Sequence, residues 1–303
     1  MKIAFTTDLP AEGFKRLARH KLNACMSDAD VLVSTFDFRV TRQMIESMPS
    51  LRLIANFGAG YNNIALDACR ERGIRVTNTP QPVIEPTAEL AFALMIDIAR
   101  RVSEFDRAIR SHTGQPLAVM NNLSHSLYGK TLGIIGMGHI GQALARRAIA
   151  AGMKIIYHNR HKLNEDIESR YCARYVDFQT LLQDSDFVSL NLPYTQDVHH
   201  LIGKHELGMM KRTAYLINTA RGAHVHEEAL VEALQNGIIA GAALDVYEFE
   251  PQITEELLAL PNIVLSPHTG TGTWEGRIAM CENVCDNILA FDAGEYDKMN
   301  IVL

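Results

Sequence analysis

A chain of 303 residues, 47% of them hydrophobic and 21% charged, is long enough for two domains of ordinary size, each with a core of its own. Its formal charge of -6 and pI near 6.1, with no basic tract beyond the doublets Arg100-Arg101 and Arg146-Arg147, argue against a nucleic-acid partner. The opening MKIAFTTDLP is an apolar stretch broken too early for a signal peptide or membrane span, and no other long apolar run follows, so a soluble cytoplasmic protein without a membrane partner is expected.

Taken in chain order, apolar runs alternate with helical patterns. Strands are predicted at Lys2 to Phe5, Val31 to Ser34, Leu53 to Asn56 and Ile74 to Val76, with helices such as Thr41 to Ser47 and Leu66 to Gly73 between them. A long helix from Thr87 to Val102 leads to a second alternating stretch, Thr131 to Pro267, with strands near Leu132, Ile155, Phe187, Tyr215, Ala240 and Ile263. A last long helix, about Trp274 to Phe291, carries the chain back to the first unit. Strands alternating with helices imply parallel sheets covered on both faces, and ligands of such sheets bind in clefts at the carboxyl ends of the strands.

The second unit opens on GIIGMGHIGQALARRA, where a short apolar strand enters three glycines and an amphipathic helix pattern leaves them. Gly136 suits the tight turn, Gly138 the approach of a pyrophosphate to the backbone, and Gly141 the close packing of helix on strand. His139 and Ile140 open the helix whose free N–H groups and dipole favour phosphate. The next strand, Met153 to Tyr157, runs on to Asn159, where an NAD site usually offers a carboxylate to the ribose. Asn159 is neutral and Arg160 beside it can pair with a 2′-phosphate, while His161 and Lys162 add positive potential. These residues predict a preference for NADP(H), with NAD(H) also possible. No metal is expected: Cys25, Cys69, Cys172, Cys281 and Cys285 are scattered, Cys281 and Cys285 read as core, and His199, His200 and His205 as solvated surface.

Further motifs follow in a fixed order along nearly the whole chain: Asn56-Phe-Gly-Ala-Gly-Tyr-Asn62, Val76-Thr-Asn-Thr-Pro80, the glycine fingerprint, Asn191-Leu-Pro-Tyr-Thr195, Ile217-Asn-Thr-Ala-Arg-Gly222, Ala243-Leu-Asp-Val-Tyr-Glu-Phe-Glu-Pro251 and Ser266-Pro-His-Thr-Gly270. In these the chain resembles the D-isomer-specific 2-hydroxyacid dehydrogenases, a family that includes glyoxylate/hydroxypyruvate reductases. The resemblance implies an α/β fold of two doubly wound parallel-sheet domains. One is a flavodoxin-like substrate domain (1–97 and 273–303) and the other a Rossmann dinucleotide-binding domain (98–272), with a cleft between. It also implies a homodimer paired through the cofactor domain, with residues 102–129 as the arm.

Roles follow from the same resemblance. Arg221 would hold the substrate carboxylate and polarise its ketone, a task for which a planar fork suits better than an ammonium. His268 would be the general acid, and Glu250 would orient its ring and stabilise the imidazolium. Asp245 matches the residue that binds the nicotinamide carboxamide, and Leu192, Pro193, Thr195, Thr219 and Ala220 match loops lining the cofactor. Ala59 and Gly60 would offer backbone N–H groups to the substrate carboxylate. The chain departs from the family pattern between Ala11 and Val33, which is short for the elements usually found there, and its only tryptophan, Trp274, follows His268 by six residues. The leading expectation is a reductase of small 2-oxo acids such as glyoxylate or hydroxypyruvate. The alternatives are a nucleotide-sensing corepressor-like binding protein and a D-3-phosphoglycerate-type dehydrogenase using NAD.

Overall fold

A computed structural model describes residues 1–303. The chain divides into two units, Met1–Pro86 with Thr271–Leu303, and Thr87–Gly270. The division falls after Pro86 in the helix Ile84–Arg100, and the boundary expected after residue 97 lies in the same helix.

The first unit holds four parallel strands, β1 (Ile3–Phe5), β2 (Val31–Thr35), β3 (Leu53–Phe57) and β4 (Arg75–Thr77), side by side in chain order. Every residue of β2 and β3 is buried, which is why VLVST and LIANF read as continuous runs rather than as alternation. Ala68 and Cys69 from helix Leu66–Glu71 join Leu32, Ile54 and Val76 in one core, while the helix Trp274–Ala293 packs against β3. A flavodoxin-like order carries one more strand outside the first. Here that place is taken by residues near Lys21: Ile3 N–H donates to Lys21 O (2.9 Å), Ala24 N–H to Ile3 O (3.0 Å), and Lys2 and Lys21 form a lone parallel bridge. The rest of the short stretch is two 3-10 turns, Ala11–Leu17 and Met26–Asp28, so the outer strand has shrunk to a single bridge.

The second unit is a seven-stranded parallel sheet: β5 (Thr131–Ile135), β6 (Lys154–His158), β7 (Ala173–Tyr175), β8 (Phe187–Leu190), β9 (Tyr215–Asn218), β10 (Gly241–Leu244) and β11 (Ile263–Leu265), in the order β11-β10-β9-β8-β5-β6-β7. The chain runs outward one way from β5 through β6 to β7, then returns to β8 on the other side. The crevice at this reversal, between β5 and β8, is where sheets of this kind bind ligands. Strand β7 has three residues and no readable period, and the sequence reading passed it over. The core includes Leu181, Leu182, Val188, Leu216 and Leu230, each fully buried, and each such side chain contributes about 1.5–3 kcal/mol.

The long helix expected from Thr87 to Val102 is Ile84–Arg100, followed by Arg101 at φ 58° and a second helix, Val102–Arg110. Asp97 accepts from Ser103 N–H (2.7 Å), which starts the second helix on the side chain of the first. No helix is long and apolar enough to cross a membrane.

Candidate active site

The strand β5 delivers the glycines into the reversal point. Gly136 takes φ 90°, and a Cβ there would meet Asn191 C at 2.8 Å and Leu192 Cβ at 2.8 Å. A Cβ on Gly141 would lie 2.7 Å from Gly136 O, so the helix His139–Ala150 can sit this close to the turn only with glycine there. Around Gly138 nothing lies within 4 Å of a Cβ position, which leaves room at the helix start where the N–H groups of the first turn lack intrahelical acceptors. Leu192 is part-buried, while Pro193 and Thr195 are exposed beyond β8. Two buried atoms at the carboxyl ends of neighbouring strands, Asn191 Oδ1 after β8 and Thr219 Oγ1 after β9, have no protein partner. A bound dinucleotide, which needs backbone close to phosphate and polar groups at these strand ends, fits this donor and acceptor set.

Asn159, after β6, points its side chain at the glycine turn: its Oδ1 accepts from Met137 N–H at 2.7 Å. Arg160 faces outward and pairs with Asp197 (Nη2 to Oδ2, 3.1 Å), both side chains being mostly exposed. Lys162 was expected to add positive potential here. It is committed instead to Glu168 at 3.1 Å, a carboxylate that also accepts from the Tyr157 hydroxyl, so its charge is largely offset locally.

At the ends of β9, β10 and β11 three predicted residues come together. The carboxylate of Glu250 accepts Tyr247 N–H on Oε1 (2.9 Å) and the His268 ring on Oε2 (2.9 Å, from Nδ1). A carboxylate only accepts, so Nδ1 carries the hydrogen of this bond and Nε2 is the ring nitrogen not turned to Glu250. His268 adopts φ 54°, a backbone cost of about 1–3 kcal/mol for a residue with a side chain, and such outliers cluster at functional sites. Its N–H donates to Asp245 O at 2.8 Å. Burial pushes the Glu250 carboxyl up, but the hydrogen bond and charge of His268, the Tyr247 N–H and the Arg221 charge together hold it below its usual value. Burial likewise pulls the Arg221 guanidinium down, with Glu250 opposing. Arg221, Glu250 and His268 are therefore one coupled set with Glu250 at its centre.

Several residues hold this set, and Gly222, Asn218 and His224 among them have no role assigned from the sequence. Gly222 follows Arg221, and a Cβ there would meet Tyr247 C at 1.8 Å, so only glycine lets the end of β9 lie against the segment that carries Glu250. The Arg221 carbonyl accepts from Asn218 Nδ2 (2.9 Å) and from the ring of the buried His224 (Nδ1, 3.1 Å), and Ala220 N–H donates to Asn218 Oδ1 (3.0 Å). Asp245, 1% exposed, accepts Thr269 N–H (2.7 Å) and Gly270 N–H (2.8 Å), which fixes the chain just after His268; its carboxylate keeps lone pairs for a further donor.

In the first unit, the loop after β3 is oriented by its carbonyls. Thr79 N–H donates to Gly58 O (3.0 Å), Asn78 Nδ2 to Ala59 O (2.8 Å) and Asn56 Nδ2 to Gly60 O (2.8 Å). Because C=O and N–H point opposite ways across a trans peptide, the N–H groups of Ala59, Gly60 and Tyr61 each point away from these anchors. The motif Val76 to Pro80 contains two of these three anchors, a signal legible only once the loop is folded.

Trp274, at the start of its helix, is 75% exposed, and one further expectation is corrected in part. His199 and His205 are exposed as expected, but His200 is part-buried because the loop after β10 folds over it and brings Glu248 to within 2.5 Å of its Nε2.

Residues 92–270 match the model of the D-isomer specific 2-hydroxyacid dehydrogenase NAD binding domain. A glyoxylate reductase of Thermococcus litoralis is 44% identical over 97% of this chain and 94% of its own length. The crystal structure of a glyoxylate reductase from Paecilomyes thermophila superposes with a TM-score of 0.86 at 36% identity, covering 96% of this chain and 94% of that one. An NADPH-dependent glyoxylate/hydroxypyruvate reductase from Sinorhizobium meliloti, solved with citrate, gives a TM-score of 0.85 at 30% identity, covering 96% and 95%. With the glycine turn at the sheet reversal and the Arg-Glu-His set at the strand ends, this protein belongs to the D-isomer-specific 2-hydroxyacid dehydrogenases, nicotinamide-dependent oxidoreductases acting on CH–OH donors.

Proposed function

We propose that this chain reduces small 2-oxo acids, glyoxylate and hydroxypyruvate among them, to D-2-hydroxy acids, with NADPH preferred over NADH and His268 as the general acid. The observation that carries this reading is the His268–Glu250 hydrogen bond of 2.9 Å in a set coupled to Arg221. When bound, the nicotinamide supplies a hydride to C2 of the substrate. The planar fork of Arg221 holds the carboxylate and draws electron density toward the ketone oxygen. His268 gives the Nε2 proton to that oxygen, so one C–H and one O–H bond replace the carbonyl π bond. Glu250 keeps the hydrogen on Nδ1 and stabilises the imidazolium before transfer. In this proposal Asp245 accepts from the nicotinamide carboxamide, Leu192, Pro193, Thr195, Thr219 and Ala220 line the cofactor, and the N–H groups at Ala59 and Gly60 serve the substrate carboxylate.

The preference for NADPH rests on Asn159 and Arg160. Asn159 places no negative charge where a 2′-phosphate would sit, and Arg160 is exposed, with a partner, Asp197, that solvent already screens. The relative from Sinorhizobium meliloti is NADPH-dependent by name, which supports the same reading. Homodimer formation in the cytoplasm completes the proposal. Residues 102–129 expose Ile109, Leu117, Val119, Met120, Leu123 and Tyr128, each more than half exposed, a density of apolar surface that a monomer rarely leaves in water.

The test is kcat/KM for NADPH and NADH against glyoxylate, hydroxypyruvate and larger 2-oxo acids. The reading expects turnover of the small acids with NADPH ahead. Equal values for the two cofactors, or NADH ahead, would remove the assignment of Arg160, and no turnover of any 2-oxo acid would remove the reductase itself.

A further inference from the structure

Outside the Arg-Glu-His set, the second unit gathers histidines and carboxylates at one more place. After β8 the chain turns through His199 and His200, whose rings stack at 3.9 Å. His200 is held at φ 52°, in the left-handed region that residues with a side chain rarely adopt, by its N–H to Ala223 O (2.8 Å) and by Ile202 N–H to His224 O (2.9 Å). The edge of His226 rests on the His200 ring, centroids 4.5 Å apart and planes at 85°. These contacts aim His200 Nε2 at Glu248 Oε1, 2.5 Å away.

The charge at this place is out of balance. Glu248 Oε2 accepts from Glu227 N–H (3.0 Å), and Glu227, 1% exposed, returns the bond by accepting Glu248 N–H on Oε1 (2.6 Å) and the Thr254 hydroxyl on Oε2. Two carboxylates thus share one small region, and the basic side chain paired with either is His200. One imidazole offsets at most half of that charge, whereas a divalent cation offsets all of it. The donor atoms of His199, His200 and Glu248 lie within 4.8 Å of one another. A tetrahedral ion with bonds of about 2.0–2.2 Å holds its donors roughly 3.3–3.6 Å apart, so side-chain movements on the order of an ångström close the set. A cavity of about 370 Å³, lined by Lys204, His226 and Glu232 among others, borders the set at His200.

We propose that His199, His200 and Glu248 bind a divalent transition-metal ion of the zinc class, with water as the fourth ligand. Two imidazole nitrogens and one carboxylate oxygen suit that class and not the all-oxygen preference of magnesium or calcium. Because Glu248 lies two residues before Glu250, the ion ties the segment carrying Glu250 to the turn after β8 and stiffens it.

The test uses the full chain without a histidine tag, stripped with chelator and dialysed. Zn²⁺ titration calorimetry, the visible band of tetrahedral Co²⁺ and the melting temperature with and without Zn²⁺ are measured on the wild type and three variants. One ion per chain, on the order of micromolar affinity, and a melting temperature raised by Zn²⁺ are expected. The exposed His199→Ala should weaken binding at least about tenfold, as loss of a direct ligand exceeds the usual effect of an outer one. Glu248→Gln, which keeps an acceptor for Glu227 N–H, should do the same, and His205→Ala, on the neighbouring helix, should leave binding unchanged. No saturable binding, equal affinity for Mg²⁺, or equal weakening by His205→Ala would overturn the proposal.

Discussion

Arg221 and Arg160 stand just beyond two strands of one parallel sheet and carry the same charge, but their surroundings make them different tools. Arg221 is buried enough that desolvation pulls its pKa down, its carbonyl is held by Asn218 and His224, and Glu250 faces it. Arg160 is mostly exposed and its one ion pair, with Asp197, lies in water. A charge in a low-dielectric pocket acts strongly and over a fixed geometry, whereas an exposed pair is worth roughly 0.2–1 kcal/mol and rearranges freely. The comparison therefore predicts large, all-or-none effects at the strand-end set and small, graded ones at the outer turn.

The largest effect should come from the set itself. We expect His268→Ala to slow 2-oxo acid reduction by about a hundredfold or more, the usual loss with a general acid, and Arg221→Lys to fail comparably, while cofactor affinity stays within about twofold. If Arg221→Lys reduces 2-oxo acids at near wild-type rate, the contrast with Arg160 collapses. Next in size is Arg160→Ala, which should lower kcat/KM for NADPH by about tenfold, the loss of one charge-assisted contact, and leave NADH nearly unchanged. Parallel losses with both cofactors would show that Arg160 supports the fold or the turn rather than the 2′-phosphate.

The pH dependence sharpens the same contrast. Glu250 has a folded pKa below its usual 4.5, so its contribution to stability is fully present above that value and is lost as pH falls through the lower folded value. Acid unfolding followed by circular dichroism should show Glu250→Gln less stable than wild type at neutral pH, with the gap closing below pH 4.5. If Glu250→Gln instead unfolds with the same pH dependence as wild type, the lowered Glu250 pKa contributes nothing to stability and the carboxylate is not held by its partners in the folded state. The smallest effect belongs to Asp197→Asn, which frees Arg160 and should tighten NADPH by no more than about fivefold, the ceiling for an exposed pair. A larger gain would mean that the pair is stronger than its exposure allows.

The sequence carried the local decisions. The period of the apolar runs marked ten of the eleven strands, because fully covered parallel strands need unbroken apolar segments. The glycines at 136, 138 and 141 announced a turn that at Gly136 and Gly141 only residues without a Cβ can make, and Arg221, Glu250 and His268 were picked out together because their motifs travel with them. What stayed hidden depends on residues far apart in the chain. Nothing beside Gly222 announces that Tyr247 will press against it, nothing near Lys162 that Glu168 will claim its charge, and nothing near His200 that Glu248 will reach it. The outer strand of the first sheet was readable as a shortage of residues, but its reduction to a bridge between Lys2 and Lys21 was not. Backbone propensity and burial pattern are written in neighbours along the chain, so the sequence alone determined the elements and their order. Hydrogen-bond partners, ion pairs and the closeness that forbids a Cβ arise only when separate strand ends are brought side by side, so the tertiary structure alone decided which charges are paired and which residues hold the candidate site in place.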